Sequence, residues 1–145
     1  MPRVQLYQKR WHLNLVVDTS VMLAVLTSEP ERARLVQLTQ GADLIAPASV
    51  HWEIGNALSA MIKRGRLTPS QAALVLKNYE RIPIRFVEVS LLESVRLAAD
   101  QKLYAYDAYL IVCARDQKCG LVSLDTTLAR AALAAGVTVI EVPRQ

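Results

Sequence analysis

Four acidic residues in this chain keep company that ordinary surface acids do not. Asp18 closes an apolar run that begins at Leu13. Glu53 lies early in a helical stretch, with Asn56 about one turn later on the same face. Asp107 sits within Ala-Tyr-Asp-Ala-Tyr-Leu, among residues that otherwise look buried, and Asp125 closes Leu-Val-Ser-Leu. A carboxylate in apolar surroundings is costly unless it is paired or binds a cation. Several together repel one another and raise each other's pKa. A divalent cation relieves both costs, and Mg²⁺ or Mn²⁺ suits carboxylate oxygens supplemented by water. Such a cation can bind a scissile phosphate, lower the pKa of a water and stabilise a leaving oxygen. Each acid also has a plainer reading. Asp18 and Asp125 stand where helix N-caps stand. Glu53 could be a solvated helix residue, and Asp107 could favour the dipole of a first helical turn. The four in this order weigh towards the metal.

The elements that must position them follow from the hydrophobic pattern. Leu13 to Val17 reads as a buried strand, and Asp18-Thr19-Ser20 are capping residues for a helix over Val21 to Leu26. A second helix opens at Glu29-Pro30 and stops at Gly41. Leu44 to Ala46 is a strand, Val50 to Arg64 a long helix ended by Gly65, and Thr68-Pro69 caps a helix to Tyr79. Ile84 to Val89 alternates like a strand. Ser90 and Glu93 have the spacing of a capping box for a helix to Lys102. A helix from Ala105 to Lys118 is broken by Gly120; then come a strand over Leu121 to Leu124, a helix over Thr126 to Ala135 and a strand over Val137 to Val142. This alternation predicts an α/β fold, an α/β/α sandwich with a mainly parallel sheet covered by helices. In such sheets sites lie beyond the carboxyl ends of the strands. Asp18 and Asp125 fall at two of those ends.

Length and composition set the frame. The 145 residues suffice for one domain, and 52% hydrophobic residues exclude a disordered chain. Residues 1–12, with Arg3, Lys9 and Arg10, read as a basic N-terminal extension; residues 13–145 form the domain. That extension resembles the start of a signal peptide, but Asp18 interrupts the apolar stretch behind it and no clean cleavage site follows. Apolar stretches reach about a dozen residues, short of the roughly 18 to 20 a membrane span needs. The net charge of +4 suits a polyanion such as RNA, although ordinary solubility explains it equally well. Cys113 and Cys119 form no CxxC array, which argues against structural zinc and fits reduced thiols in a cytoplasmic protein.

In its motifs the sequence resembles the PIN-domain family, and in particular the VapC-type toxins of prokaryotic toxin–antitoxin pairs. The resemblance spans Leu13 to Val142. Val16-Val17-Asp18-Thr19-Ser20-Val21 looks like the family's opening strand and first acid. Glu53-Ile54-Gly55-Asn56-Ala57-Leu58 looks like its second motif, Tyr106-Asp107-Ala108-Tyr109-Leu110 its third, with Ala114 a turn later. Ser123-Leu124-Asp125, followed by Leu128, Ala132 and Gly136, looks like its fourth. What the resemblance implies is metal-dependent endoribonuclease activity, a cognate antitoxin and a homodimer. Two departures stand out. About twelve residues precede the first strand, and Ser123 stands where threonine is commoner. The fourth acid varies most in the family, which makes Asp125 the least secure ligand.

On this reading Asp18 and Asp107 are the main metal ligands, Glu53 binds metal or positions the attacking water, and Asp125 adds a ligand directly or through water. Ser20, Asn56 and Ser123 are candidates for orienting the carboxylates; each could instead be a cap, a solvated residue or a strand end. His12 and His51 are read as non-catalytic. Lys63, Arg64 and Arg66 could hold RNA backbone or merely favour a helix C-terminus, and Arg81 and Arg85 are similar. Trp52, Tyr104, Tyr106 and Tyr109 could stack on bases, with core packing expected for most of them. Asp116, nine residues after Asp107, faces away. The apolar early helices could offer a dimer or antitoxin surface or simply fill the core. Two other functions fit: an RNA-processing nuclease of the same fold without an antitoxin, and a non-catalytic α/β binding module whose acids are caps.

Overall fold

The computed structural model describes residues 13–142; the basic extension and His12 lie outside the described residues. Five strands form one sheet: β1 (Asn14–Val17), β2 (Asp43–Pro47), β3 (Ile84–Val87), β4 (Gly120–Val122) and β5 (Val139–Ile140). Their order is β3-β2-β1-β4-β5, and every pairing is parallel. The helices are α1 (Thr19–Leu26), α2 (Arg32–Thr39), α3 (Ser49–Lys63), α4 (Pro69–Glu80), α5 (Leu91–Gln101), α6 (Ala105–Asp116) and α7 (Thr126–Ala134). None of them is long and apolar enough to cross a membrane.

Strand β1 lies in the middle and is dry, with Leu15, Val16 and Val17 almost fully buried. A parallel strand covered on both faces has no polar side, which is why it reads as a continuous apolar run. The chain passes outwards from β1 to β3, then returns to place β4 on the other side of β1. Right-handed crossovers therefore put the helices before β3 on one face and those after it on the other. The packing agrees: α1 lies against α3 and α4, whereas α6 crosses β1, β2 and β4. Helix α6 buries Ala108, Leu110, Ile111, Val112, Cys113 and Ala114, as a helix apolar nearly all round must.

Several boundaries differ from the sequence expectation for identifiable reasons. Gly120 opens β4 rather than only breaking α6; the helix ends at Asp116, and Lys118, at φ 52°, turns the chain. Strand β5 shrinks to two residues because it pairs with β4 alone at the sheet edge. The expected capping box at Ser90 is half made. Ser90 Oγ accepts from the Glu93 amide at 3.2 Å, but the Glu93 carboxylate turns to Arg96 and Arg115. The reciprocal box forms instead at Thr68 and Gln71, at the start of α4. Gly65 takes left-handed backbone, φ 72°, immediately past the end of α3, where a side chain would be strained.

Candidate active site

The turns after β1 and β4 meet at the point where the strand order reverses, and two serines join them. Ser20 Oγ donates to Asp18 Oδ1 at 2.6 Å and accepts from the Leu124 amide at 3.1 Å. Ser123 Oγ donates to Asp18 Oδ2 and accepts from the Asp125 amide at 2.9 Å. Asp18 also caps α1, taking the Val21 amide at 3.0 Å. Its carboxylate is thus held by three donors while almost wholly buried, at 4% exposure. Burial pushes its pKa up, against the pull of those hydrogen bonds, and the charge of Asp125 adds to the rise. Asp125 caps α7 through the Thr127 and Leu128 amides at 2.9 and 3.2 Å. Both aspartates are therefore N-caps, and Asp125 keeps its Oδ2 free of hydrogen bonds among the described residues. The two readings of these residues are compatible.

The other two acids come from opposite helical layers. Glu53, in the second turn of α3, has Oε2 fixed by Thr19 Oγ1 at 2.6 Å. Desolvation raises its pKa, as do Asp107 and Asp18. Asp107 lies in the first turn of α6. Its pKa is raised by desolvation and then by Asp125 and Asp18. Each carboxylate feels at least one of the others, so strand ends, α3, α6 and α7 bring the four sequence-predicted acids into one electrostatic cluster. Among the described residues no Lys, Arg or His lies within salt-bridge distance of any of them; the ion pairs found there belong to Glu93. Among the described residues, no three of them close on one cation-sized point. The donor set is all hard oxygen and suits Mg²⁺ or Mn²⁺. Glu53 Oε1, Asp125 Oδ2 and both oxygens of Asp107 carry no hydrogen bond among the described residues, so they remain available to a cation or its waters.

Other predicted residues are placed differently. Ser20 and Ser123 orient Asp18, but the exposed Asn56 makes no side-chain hydrogen bond to a site carboxylate among the described residues. Thr19 does for Glu53 what Asn56 was expected to do. The sequence signal was present in Asp18-Thr19-Ser20 but reads equally well as a run of capping residues. Lys63, Arg64 and Arg66 are exposed at the far end of α3, and ten residues of helix from Glu53 to Lys63 span about 15 Å. They are not brought to the acids. Asp116 stands at the opposite end of α6 from Asp107. His51 Nδ1 lies 3.0 Å from the Tyr79 hydroxyl, with its ring against Trp52 and Phe86. Core packing fails for most of the aromatics. Trp52, Tyr104 and Tyr106 are 74%, 87% and 59% exposed, because they sit near helix starts off the buried faces; only Tyr109 is half-buried, edge-on to Tyr106.

Among solved structures the fold is similar to PAE2754 from Pyrobaculum aerophilum, with a TM-score of 0.67 and 23% identity, over 88% of this chain and 83% of that one. It is similar to VapBC2 from Rickettsia felis, solved bound to a DNA fragment from their promoter, with a TM-score of 0.66 and 11% identity, over 88% and 98%. It is similar also to FitAcB from Neisseria gonorrhoeae, with a TM-score of 0.65 and 17% identity, over 88% and 96%. No curated protein matches in sequence. The sequence profile of the PIN domain matches residues 15–133, a span that contains all four acids and the serines that join them, and the chain belongs to the PIN-domain family.

Proposed function

We propose that this protein is a Mg²⁺- or Mn²⁺-dependent endoribonuclease, the toxin of a toxin–antitoxin pair. The observation that carries the reading is the cluster itself: four carboxylates from four segments, three of them with raised pKa, and no basic partner among the described residues. Such a cluster is unstable as it stands and calls for a cation. Asp18, Asp107 and Asp125 would hold the metal, with Glu53 beside them. When bound, it supplies charge neutralisation of the scissile phosphate and of the leaving oxygen. Asp18 is immobilised by Ser20, Ser123 and the Val21 amide, so it presents a fixed negative centre. Thr19 fixes Glu53 through Oε2 and leaves Oε1 to align the attacking water and accept its proton, a task that a raised carboxylate pKa favours. Hydrolysis then leaves the phosphate on the 5′ end of the downstream fragment.

The toxin assignment rests on the VapC-type motifs and on the fold shared with VapBC2 and FitAcB. A cognate antitoxin and a homodimer need exposed apolar surface. Helix α1 spends its apolar residues on the core, but α5 exposes Leu91, Leu92 and Val95, and α4 exposes Leu74. Incubating purified protein with total cellular RNA tests the activity. Discrete fragments with Mg²⁺ or Mn²⁺, lost with EDTA and with Asp18→Asn, are expected. Equal inertness of wild type and variant under both metals, with no bound inhibitor present, would return the weight to a binding module.

A further inference from the structure

Beside Asp125 a groove of about 460 Å³ opens between α7 and the end of β5. Ser123 and Asp125 are among its lining residues, so it borders the acidic cluster. Its walls include Ala129 and Leu133 from α7 and Val139 from β5, with Arg130 and Glu141 as its charged members besides Asp125. Leu133 is 61% exposed although it is apolar and large. Arg130 has no carboxylate within salt-bridge distance among the described residues. This volume falls within the range of small-ligand sites, and an apolar wall with few polar groups is their usual composition.

We infer that this groove seats a nucleoside of the RNA strand adjoining the scissile phosphate, with Arg130 holding the neighbouring phosphate. The inference rests on the nuclease reading above. An apolar wall accepts the face of a base, which any nucleotide offers. An unpaired guanidinium matches phosphate oxygens in a fork. The Glu141 carboxylate would repel phosphate but can accept from the exocyclic amino group of a base. A peptide could also lie on an apolar wall. Two features favour RNA: the groove shares Ser123 and Asp125 with the acidic site, and Arg130, without an ion-pair partner among the described residues, stands five residues from Asp125.

The test is binding of a fluorescein-labelled, single-stranded, mixed-sequence oligoribonucleotide to the whole chain, read by anisotropy over a salt series. Ca²⁺ replaces Mg²⁺, since it too takes oxygen ligands. Arg130→Ala should weaken binding roughly tenfold, the size of a lost charged hydrogen bond, and lower the log–log salt slope by about 0.7. Leu133→Glu should weaken it to a similar degree. Both positions are exposed, so melting temperatures should stay at the wild-type value. Unchanged affinity and slope in both variants would overturn the inference and leave any cleavage of total RNA standing. Weakened binding in both variants supports the groove even if the wild type cleaves nothing with Mg²⁺ or Mn²⁺, an outcome that defeats the nuclease reading alone.

Discussion

Asp18 draws its immobility from two hydroxyls and one amide, so the serines should matter as much as their geometry suggests. Ser123→Ala would leave Asp18 Oδ2 buried without a donor. An unsatisfied buried acceptor costs about 1–3 kcal/mol, so thermal unfolding should report a loss of that order, and Ser123→Thr should recover most of it. The serine also lowers the Asp18 pKa, and its loss should move the acid limb of the activity profile to higher pH. Thr19 gives a sharper case. Thr19→Val keeps the shape and removes the donor to Glu53 Oε2. Partners that orient metal-site carboxylates are worth roughly 10- to 100-fold in activity or metal affinity. Cleavage should fall by that factor in Thr19→Val with little change in melting temperature; full activity would show that Glu53 needs no such support.

At the scale of elements, the N-terminus of α7 separates two roles of one side chain. Asp125 takes two amides of that helix, and replacing such a cap by alanine costs about 1 kcal/mol, whereas asparagine caps equally well. Asp125→Asn should therefore unfold with the wild type and yet lose activity, while Asp125→Ala should lose both. An active Asp125→Asn would reduce Asp125 to a cap. The same ambiguity explains what could be read from the sequence. The dry strand β1, the apolar middle of α6 and the stops at Gly41 and Gly65 were legible because hydrophobic period and glycine chemistry are local. The carboxyl ends of β1 and β4 could be named as the candidate site because topology follows from alternation. The Thr19–Glu53 bond spans 34 residues, and the Ser20–Leu124 bond spans 104; nothing local announces either. Exposure of Trp52 and Tyr104 is likewise not legible in the sequence, since a large ring next to apolar neighbours carries no mark of which face it takes.

For the molecule as a whole, the raised pKa values of Asp18, Glu53 and Asp107 turn into a pH dependence of stability whose sign metal should reverse. All three carboxyls hold their protons more tightly in the folded chain than in the unfolded one. Above the ordinary carboxylate range the folded state therefore binds more protons than the unfolded state. Stability then falls as pH rises, because folding must keep together charges that the unfolded chain separates. Below that range both states are protonated and this penalty vanishes. A divalent cation competes for the same oxygens, so it should bind weakly in acid and tightly near neutrality. At a hundred times its dissociation constant it stabilises by about 2.7 kcal/mol, which for a chain of this size corresponds to roughly 10 °C in melting temperature. Thermal scans in EDTA and in saturating Mn²⁺, at about pH 4.5, within the ordinary carboxylate range, and at about pH 7.5, should show the metal-free protein melting higher in acid and the Mn²⁺ increment larger near neutrality. Asp107→Asn should narrow both differences. It relieves repulsion but forfeits a favourable charge in the first turn of α6, so its net effect on the metal-free protein stays within about 1 kcal/mol. A metal-free protein that grows more stable towards pH 7.5, with no Mn²⁺ increment there, would mean that these acids are not held together as one cluster.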